Sequence, residues 1–87
     1  MKIVTIKDMI RKDVPIYYRK LYTGVAVIEF KDEASSFRID FSIEIKPTGQ
    51  KEIAVSFIDT INYPLLQVSK LLKNYIGELD SNEGLPE

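Results

Sequence analysis

The chain contains no cysteine and no histidine among its 87 residues. Without cysteine there is no disulfide, no thiolate nucleophile and no zinc finger. Without histidine the Ser-His-Asp triad is excluded, and acid–base chemistry falls to a carboxylate, a lysine or a tyrosine with a shifted pKa. We therefore predict a non-enzymatic protein with no catalytic residue, no metal and no cofactor.

Long apolar segments are also missing. No apolar run approaches the ~20 residues that span a bilayer, so no membrane partner is expected. Lys2 and Lys7 come too early for the apolar core of a signal peptide, and the expected location is cytoplasmic. The composition, 45% hydrophobic and 29% charged, fits one globular domain. We predict that the domain spans residues 1–80 and that residues 81–87 form a flexible acidic tail.

The most regular pattern runs from Phe37 to Lys46, where large apolar residues alternate with polar or charged ones. Side chains of a strand point alternately to opposite faces of its sheet, so this segment is predicted to be a strand with one buried face. Its polar positions carry charges of both signs, which indicates a solvated ladder of ion pairs. These positions are Arg38, Asp40, Ser42, Glu44 and Lys46.

The flanking segments also have strand character. Ile16–Lys31 is rich in aromatic and β-branched residues, and Val25–Ile28 within it is apolar on both faces, as in an inner strand. Thr23-Gly24 is either a tight turn that makes a hairpin or a bulge in one long strand. Lys46-Pro47-Thr48-Gly49 fits a type I turn, and Glu52–Ile58 is predicted to be the next strand.

A short helix is predicted near the N terminus. Thr5 has the character of an N-cap, with Asp8 three residues later as in a capping box. Val4 and Met9 have the spacing of a hydrophobic staple. A strand over Lys2–Lys7 is the alternative, which the composition of that segment also permits.

The last element is predicted to be an amphipathic helix. Pro64 suits a first helical turn, where its missing N–H costs nothing. Six apolar residues then fall on one face at 3.6 residues per turn, opposite a polar face. They are Leu65, Val68, Leu72, Tyr75, Ile76 and Leu79.

These elements predict an α+β, two-layer domain in the order α-β-β-β-α. An antiparallel meander of three or four strands carries the C-terminal helix on one face, with a short N-terminal helix before it. In a three-stranded meander the doubly apolar strand Val25–Phe30 would lie at an edge, where it invites pairing with another chain. Val25, Val27 and Phe30 are therefore a candidate edge for a partner or for self-association. A fourth strand from Ile16–Tyr22, or cover by the N-terminal segment, is the alternative.

The order α-β-β-β-α resembles the topology of double-stranded-RNA-binding domains, which implies RNA binding as an expectation. That family carries a lysine-rich motif at the start of its last helix. Here the position reads Asn62-Tyr63-Pro64-Leu65-Leu66-Gln67, with no base before Lys70. The resemblance is limited to the order of elements, and no residue role is carried over.

The predicted function is a small protein-interaction or regulatory module whose partner is a second copy of itself, as a homodimer, or another protein. The alternative is nucleic-acid binding through the N-terminal quarter, where residues 1–22 carry six basic and two acidic residues. Tyrosines there would stack on unpaired bases while arginine and lysine neutralise phosphates. The candidate contacts are Tyr17, Tyr18, Arg19 and Lys20.

Overall fold

A computed structural model describes residues 1–13 and 18–86 of the chain. Over these ranges the chain forms four strands and one helix: β1 (Lys2–Lys12), β2 (Arg19–Phe30), β3 (Glu33–Ile45), β4 (Lys51–Phe57) and α1 (Leu65–Ser81). The strands form one antiparallel sheet in the order β1-β2-β3-β4, and α1 packs on one face of it. The predicted α+β class, the antiparallel meander and the C-terminal helix are confirmed.

The core lies between α1 and the face of the sheet that it covers, here called the inner face. From α1 it receives Val68, Leu72 and Ile76, each 0% exposed, which are half of the predicted apolar stripe. Burial of each such side chain contributes roughly 1.5–3 kcal/mol. The sheet contributes Ile6, Tyr22, Ala26, Ile28, Ile39, Phe41 and Ile43.

The predicted N-terminal helix is wrong, because residues 2–12 form β1, which pairs with β2. The alternative of a strand over Lys2–Lys7 is the one the structure adopts. Register shifts between Ile3 and Thr5 and between Lys7 and Ile10 mark two bulges in β1. Asp8, in the second bulge, takes the left-handed backbone conformation with φ 54°.

Thr23-Gly24 makes no turn, because β2 continues through it as one strand from Arg19 to Phe30. The hairpin prediction is therefore wrong, and the irregularity lies in β1 opposite Gly24 rather than in β2. A β-carbon on Gly24 would lie 2.9 Å from Cγ2 of Ile6 and 3.3 Å from Cγ of Met9. Glycine is needed here because the bulged strand packs directly onto its backbone.

Tight turns set the register of the other strand pairs. Lys31 and Asp32 join β2 to β3 with φ of 52° and 65°, as in a type I′ turn, whose twist matches that of the sheet. The turn predicted at Lys46–Gly49 is confirmed, with Gly49 N–H donating to the Lys46 carbonyl at 2.8 Å.

The chain turns back after α1. Glu83 N–H donates to the Asp80 carbonyl at 3.3 Å and Gly84 N–H to the Leu79 carbonyl at 2.7 Å. Glu83 itself has φ 56°, which completes a Schellman ending. Leu85 then packs against the core. Flexibility of residues 81–87 stays a prediction, and the packing of Leu85 argues against it at that position.

In the described ranges no helix has the length and apolarity that a bilayer crossing requires.

Candidate functional site on the uncovered face of the sheet

The face of the sheet opposite α1, here called the outer face, has no cover among the described residues. Along its middle β2 places an aliphatic strip formed by Leu21, Val25 and Val27, with Thr23 between them. These side chains are half-buried by their neighbours in the sheet alone. On β1 beside the strip, Ile10 is 64% exposed. Small residues adjoin the strip on β3 and β4, namely Ser36, Ser42, Ala54 and Ser56.

The predicted edge at Val25 and Val27 is wrong, because β2 is an inner strand. Val25 pairs with Lys7 on β1 and with Arg38 on β3, so its backbone faces strands on both sides. The edges belong to β1, which is interrupted by two bulges, and to β4, which has 7 residues. Short or bulged edges resist pairing with another chain. Self-association through these valines stays a prediction, and it now concerns a face rather than an edge.

Phe30 lies away from the two valines. It follows Ile28 on the inner side of β2, beyond the start of α1, and its ring centroid is 5.2 Å from that of Tyr63. The ring of Phe37 is 5.9 Å from Tyr63, and Nζ of Lys31 is 5.4 Å from the centroid of Phe30. The structure therefore brings two of the three predicted contact residues together and places the third in an aromatic cluster.

Ion pairs frame the outer face. The ladder predicted along β3 forms across elements instead, because each charged side chain of β3 finds a partner on another segment. Nζ of Lys12 lies 3.6 Å from Oδ2 of Asp40, and Nη2 of Arg19 lies 3.2 Å from Oε2 of Glu44. Exposed pairs of this kind contribute at most ~1 kcal/mol each. Their main effect is to fix long side chains around the aliphatic strip.

Asp40 also carries an unsatisfied acceptor. Its Oδ1 atom is buried and has no hydrogen-bond partner among the described residues. The residue lines a shallow depression of about 190 Å³ together with Lys12, Leu21, Ser42 and Ser56. A buried acceptor without a donor costs ~1–3 kcal/mol. The outer face thus contains both apolar area and a polar atom that the described part of the chain leaves without a partner.

The predicted nucleic-acid contacts do not form one patch. Tyr17 lies outside the described residues. The carbonyl of Tyr18 accepts a hydrogen bond from Ile45 N–H at 2.8 Å. Arg19 and Lys20 point to opposite faces, since Arg19 pairs with Glu44 on the outer face while Lys20 lies opposite Ile43 on the inner one. The alternation of a strand separates the two charges.

Sequence reasoning missed Leu21, Thr23 and Ile10 as members of the outer face. The signal for the first two was present, because they continue the period of two that leads to Val25 and Val27. No such signal existed for Ile10, whose side is set by the bulge before it. Within residues 1–13 and 18–86 no group of three or more acidic side chains has the arrangement of a metal site.

The fold and site define a class: a two-layer α+β domain whose sheet is covered by a helix on one face and carries an aliphatic strip on the other. Residues 1–81, which extend from the N terminus to the last residue of α1, match the family model of the BB_0187 family. The chain belongs to that family. No curated protein and no solved structure matches it.

Proposed function

We propose that the protein is a non-enzymatic interaction module that forms a homodimer by packing the outer faces of two sheets together. The observation that carries the proposal is the strip of Leu21, Val25 and Val27 on a doubly paired strand that nothing described in the chain covers. An apolar sheet face is stable when a second layer buries it, and two sheets packed face to face form such layers.

The size of the outer face fits a stable dimer. β2 and β3 have 12 and 13 residues, so at ~3.4 Å per residue the face is about 40 Å long. Four strands spaced ~4.8 Å apart make it about 19 Å wide at most. Two copies would together bury on the order of 1,200–1,500 Å², which lies within the range of specific protein–protein interfaces.

Charge also supports a second copy as the occupant. The outer positions of β1 hold Lys7 and Lys12 and no acid, whereas those of β3 include Asp40 and Glu44. A two-fold axis along the strands sets β1 of each copy over β3 of the other, so the basic strand meets the more acidic one. The net charge of −1 gives two copies little mutual repulsion.

The proposal is tested by sedimentation equilibrium of the wild-type chain and of Val25→Glu. Val25 lies between Lys7 and Arg38, whose cationic groups would offset the new carboxylate in the monomer. In the dimer the two carboxylates would be buried close to each other, which costs several kcal/mol. We expect a dimer for the wild type and a folded monomer for the variant at about 100 μM, a concentration that a micromolar dimer survives.

The matched control is Leu66→Glu. Leu66 is 81% exposed on α1, on the opposite side of the domain, so its variant should keep the wild-type association. Circular dichroism confirms that both variants are folded. A monomeric wild type at this concentration, or a Val25→Glu dimer as tight as the wild type, would contradict the proposal.

A further inference from the structure

A cavity of about 240 Å³ lies at the other side of the sheet, where the C-terminal end of α1 meets β1 and β2. Its walls carry opposite charges. Arg11 of β1 and Lys20 of β2 form the basic wall, while Asp80 of α1 and Glu83 of the following turn form the acidic one. The Tyr22 side chain lies between the two walls.

Most of these charges are not neutralised by the protein. Arg11, Lys20 and Glu83 form no ion pair with any residue in the ranges 1–13 and 18–86. Asp80 holds Nζ of Lys51 at 2.6 Å through Oδ2. Two walls of opposite charge that do not close onto each other fit a ligand that supplies one charge of each sign.

We propose that this cavity binds a free α-amino acid with an apolar side chain. The ligand carboxylate lies against Arg11 and Lys20, and its ammonium lies against Asp80 and Glu83. Leu85 and Pro86, which also line the cavity, contact its side chain. This site is independent of the proposed dimer interface, which lies on the other face of the sheet.

Electrostatics and size select this class of ligand. The C-terminal end of a helix carries a partial negative charge, which favours an ammonium beside Asp80 and the last turn of α1. Charge-assisted hydrogen bonds at both ends of a zwitterion are stronger than neutral ones. The volume is below the roughly 300–1,000 Å³ of cavities that hold drug-sized ligands, so a small metabolite fits.

Tyr22 and Glu83 add to the recognition. Burial raises the pKa of Tyr22, with opposing effects of Arg11 and Asp80, so its hydroxyl stays protonated at neutral pH and provides a hydrogen-bonding group between the charged walls. Glu83 occupies a left-handed position, φ 56°, that glycine favours at a helix end. Strained non-glycine residues of this kind are frequent at ligand sites.

The test is an NMR titration of the full chain with L-valine, L-leucine and L-phenylalanine, and with N-acetyl-L-leucine and L-leucinamide. At least one free amino acid should shift resonances of the cavity residues saturably. Each blocked derivative of leucine should bind about tenfold more weakly than leucine, or undetectably, because it loses a charge-assisted contact. Arg11→Gln and Glu83→Gln should each weaken binding by a similar factor, and Lys70→Gln, an exposed lysine of α1 outside the cavity, should not.

Three results would overturn the proposal. One is the lack of any saturable shift from the three free amino acids up to about 10 mM, a limit weaker than millimolar affinity. Another is binding of the acetylated or amidated derivative as tightly as the parent amino acid. The third is unchanged affinity in both cavity variants while their spectra show the wild-type fold.

Discussion

Asp59 binds both the backbone and the side chain of Arg38. Its Oδ2 accepts the Arg38 backbone N–H at 2.9 Å, and its Oδ1 accepts the guanidinium Nη2–H at 2.7 Å. The segment that leaves β4 is thereby fixed to β3, where Ile58 N–H also donates to the Arg38 carbonyl at 3.0 Å. The geometry is that of a bidentate arginine–carboxylate pair with an added backbone contact.

This pair predicts a pH-dependent contribution to stability. The hydrogen bonds from the Arg38 side chain and backbone lower the pKa of Asp59 below its ordinary value of 3.8. A carboxyl with a lowered pKa stabilises the folded state above its ordinary value and loses that effect as the pH falls towards the folded value. Asp59→Asn should therefore lower the urea midpoint at neutral pH, and the difference from wild type should shrink below about pH 4. Glu33→Gln, at an exposed position outside any ion pair of the described residues, should show no such trend.

Gly24→Ala should destabilise the protein by about 1–3 kcal/mol, because the added β-carbon would lie 2.9 Å from Cγ2 of Ile6 in a packed core. Gly77→Ala is the control. Its β-carbon would meet Cδ1 of Ile53 at an ordinary 3.5 Å, and alanine is the better helix former by about 1 kcal/mol. Chemical unfolding should move in opposite directions for the two variants. Equal effects of the two would contradict the close packing of β1 on β2.

Leu72→Ala should cost about 2–5 kcal/mol, since Leu72 is 0% exposed between α1 and the sheet. Leu66→Ala makes the same chemical change on the same helix at a residue that is 81% exposed, and it should change stability by at most ~0.5 kcal/mol. Urea unfolding of both variants measures the difference. A large loss for Leu66→Ala would show that this side chain is buried in solution, for example by another molecule.

Glu83→Gly should stabilise the fold by about 1 kcal/mol, because glycine adopts the left-handed conformation at φ 56° without steric cost. The same variant should bind the amino-acid ligand more weakly, since the acidic wall loses a carboxylate. Glu78→Gly, within α1, should instead cost about 1 kcal/mol. Thermal unfolding and the ligand titration together separate the two effects. A destabilised Glu83→Gly protein would mean that the glutamate makes a contact that outweighs its strain.

The alternation from Phe37 to Lys46 and the apolar face of α1 were predictable from sequence, because each pattern extends over several turns or residue pairs and has one structural explanation. β1 was not. Its two bulges each insert a residue, so that inward-facing side chains recur at every third position, as Ile3, Ile6 and Met9 do. A spacing of three is close to the helical period, and the local capping signals of Thr5 agreed with it. The open backbone of β2 decided the conformation, and that depends on contacts distant in sequence.

The candidate sites were predictable in part for the same reason. Val25 and Val27 were recognised because both faces of their strand are apolar, but their position at an edge depended on the misassigned β1. The cavity beside Tyr22 had no sequence signal, since Arg11 and Glu83 are brought together only when the turn after α1 folds back. Charged residues so distant in sequence carry no pattern that links them.

The order β1-β2-β3-β4 also determines how the chain folds during synthesis. Every strand pairs with its neighbour in sequence, so each hairpin needs only local segments to form. β2 and β3, joined by two residues, are the natural starting point, because closing a short loop costs little entropy. α1 follows all four strands in the chain. The inner face therefore stays open until the ribosome releases Leu65–Ser81, and during that interval the unfinished sheet is the species most exposed to aggregation and to chaperones.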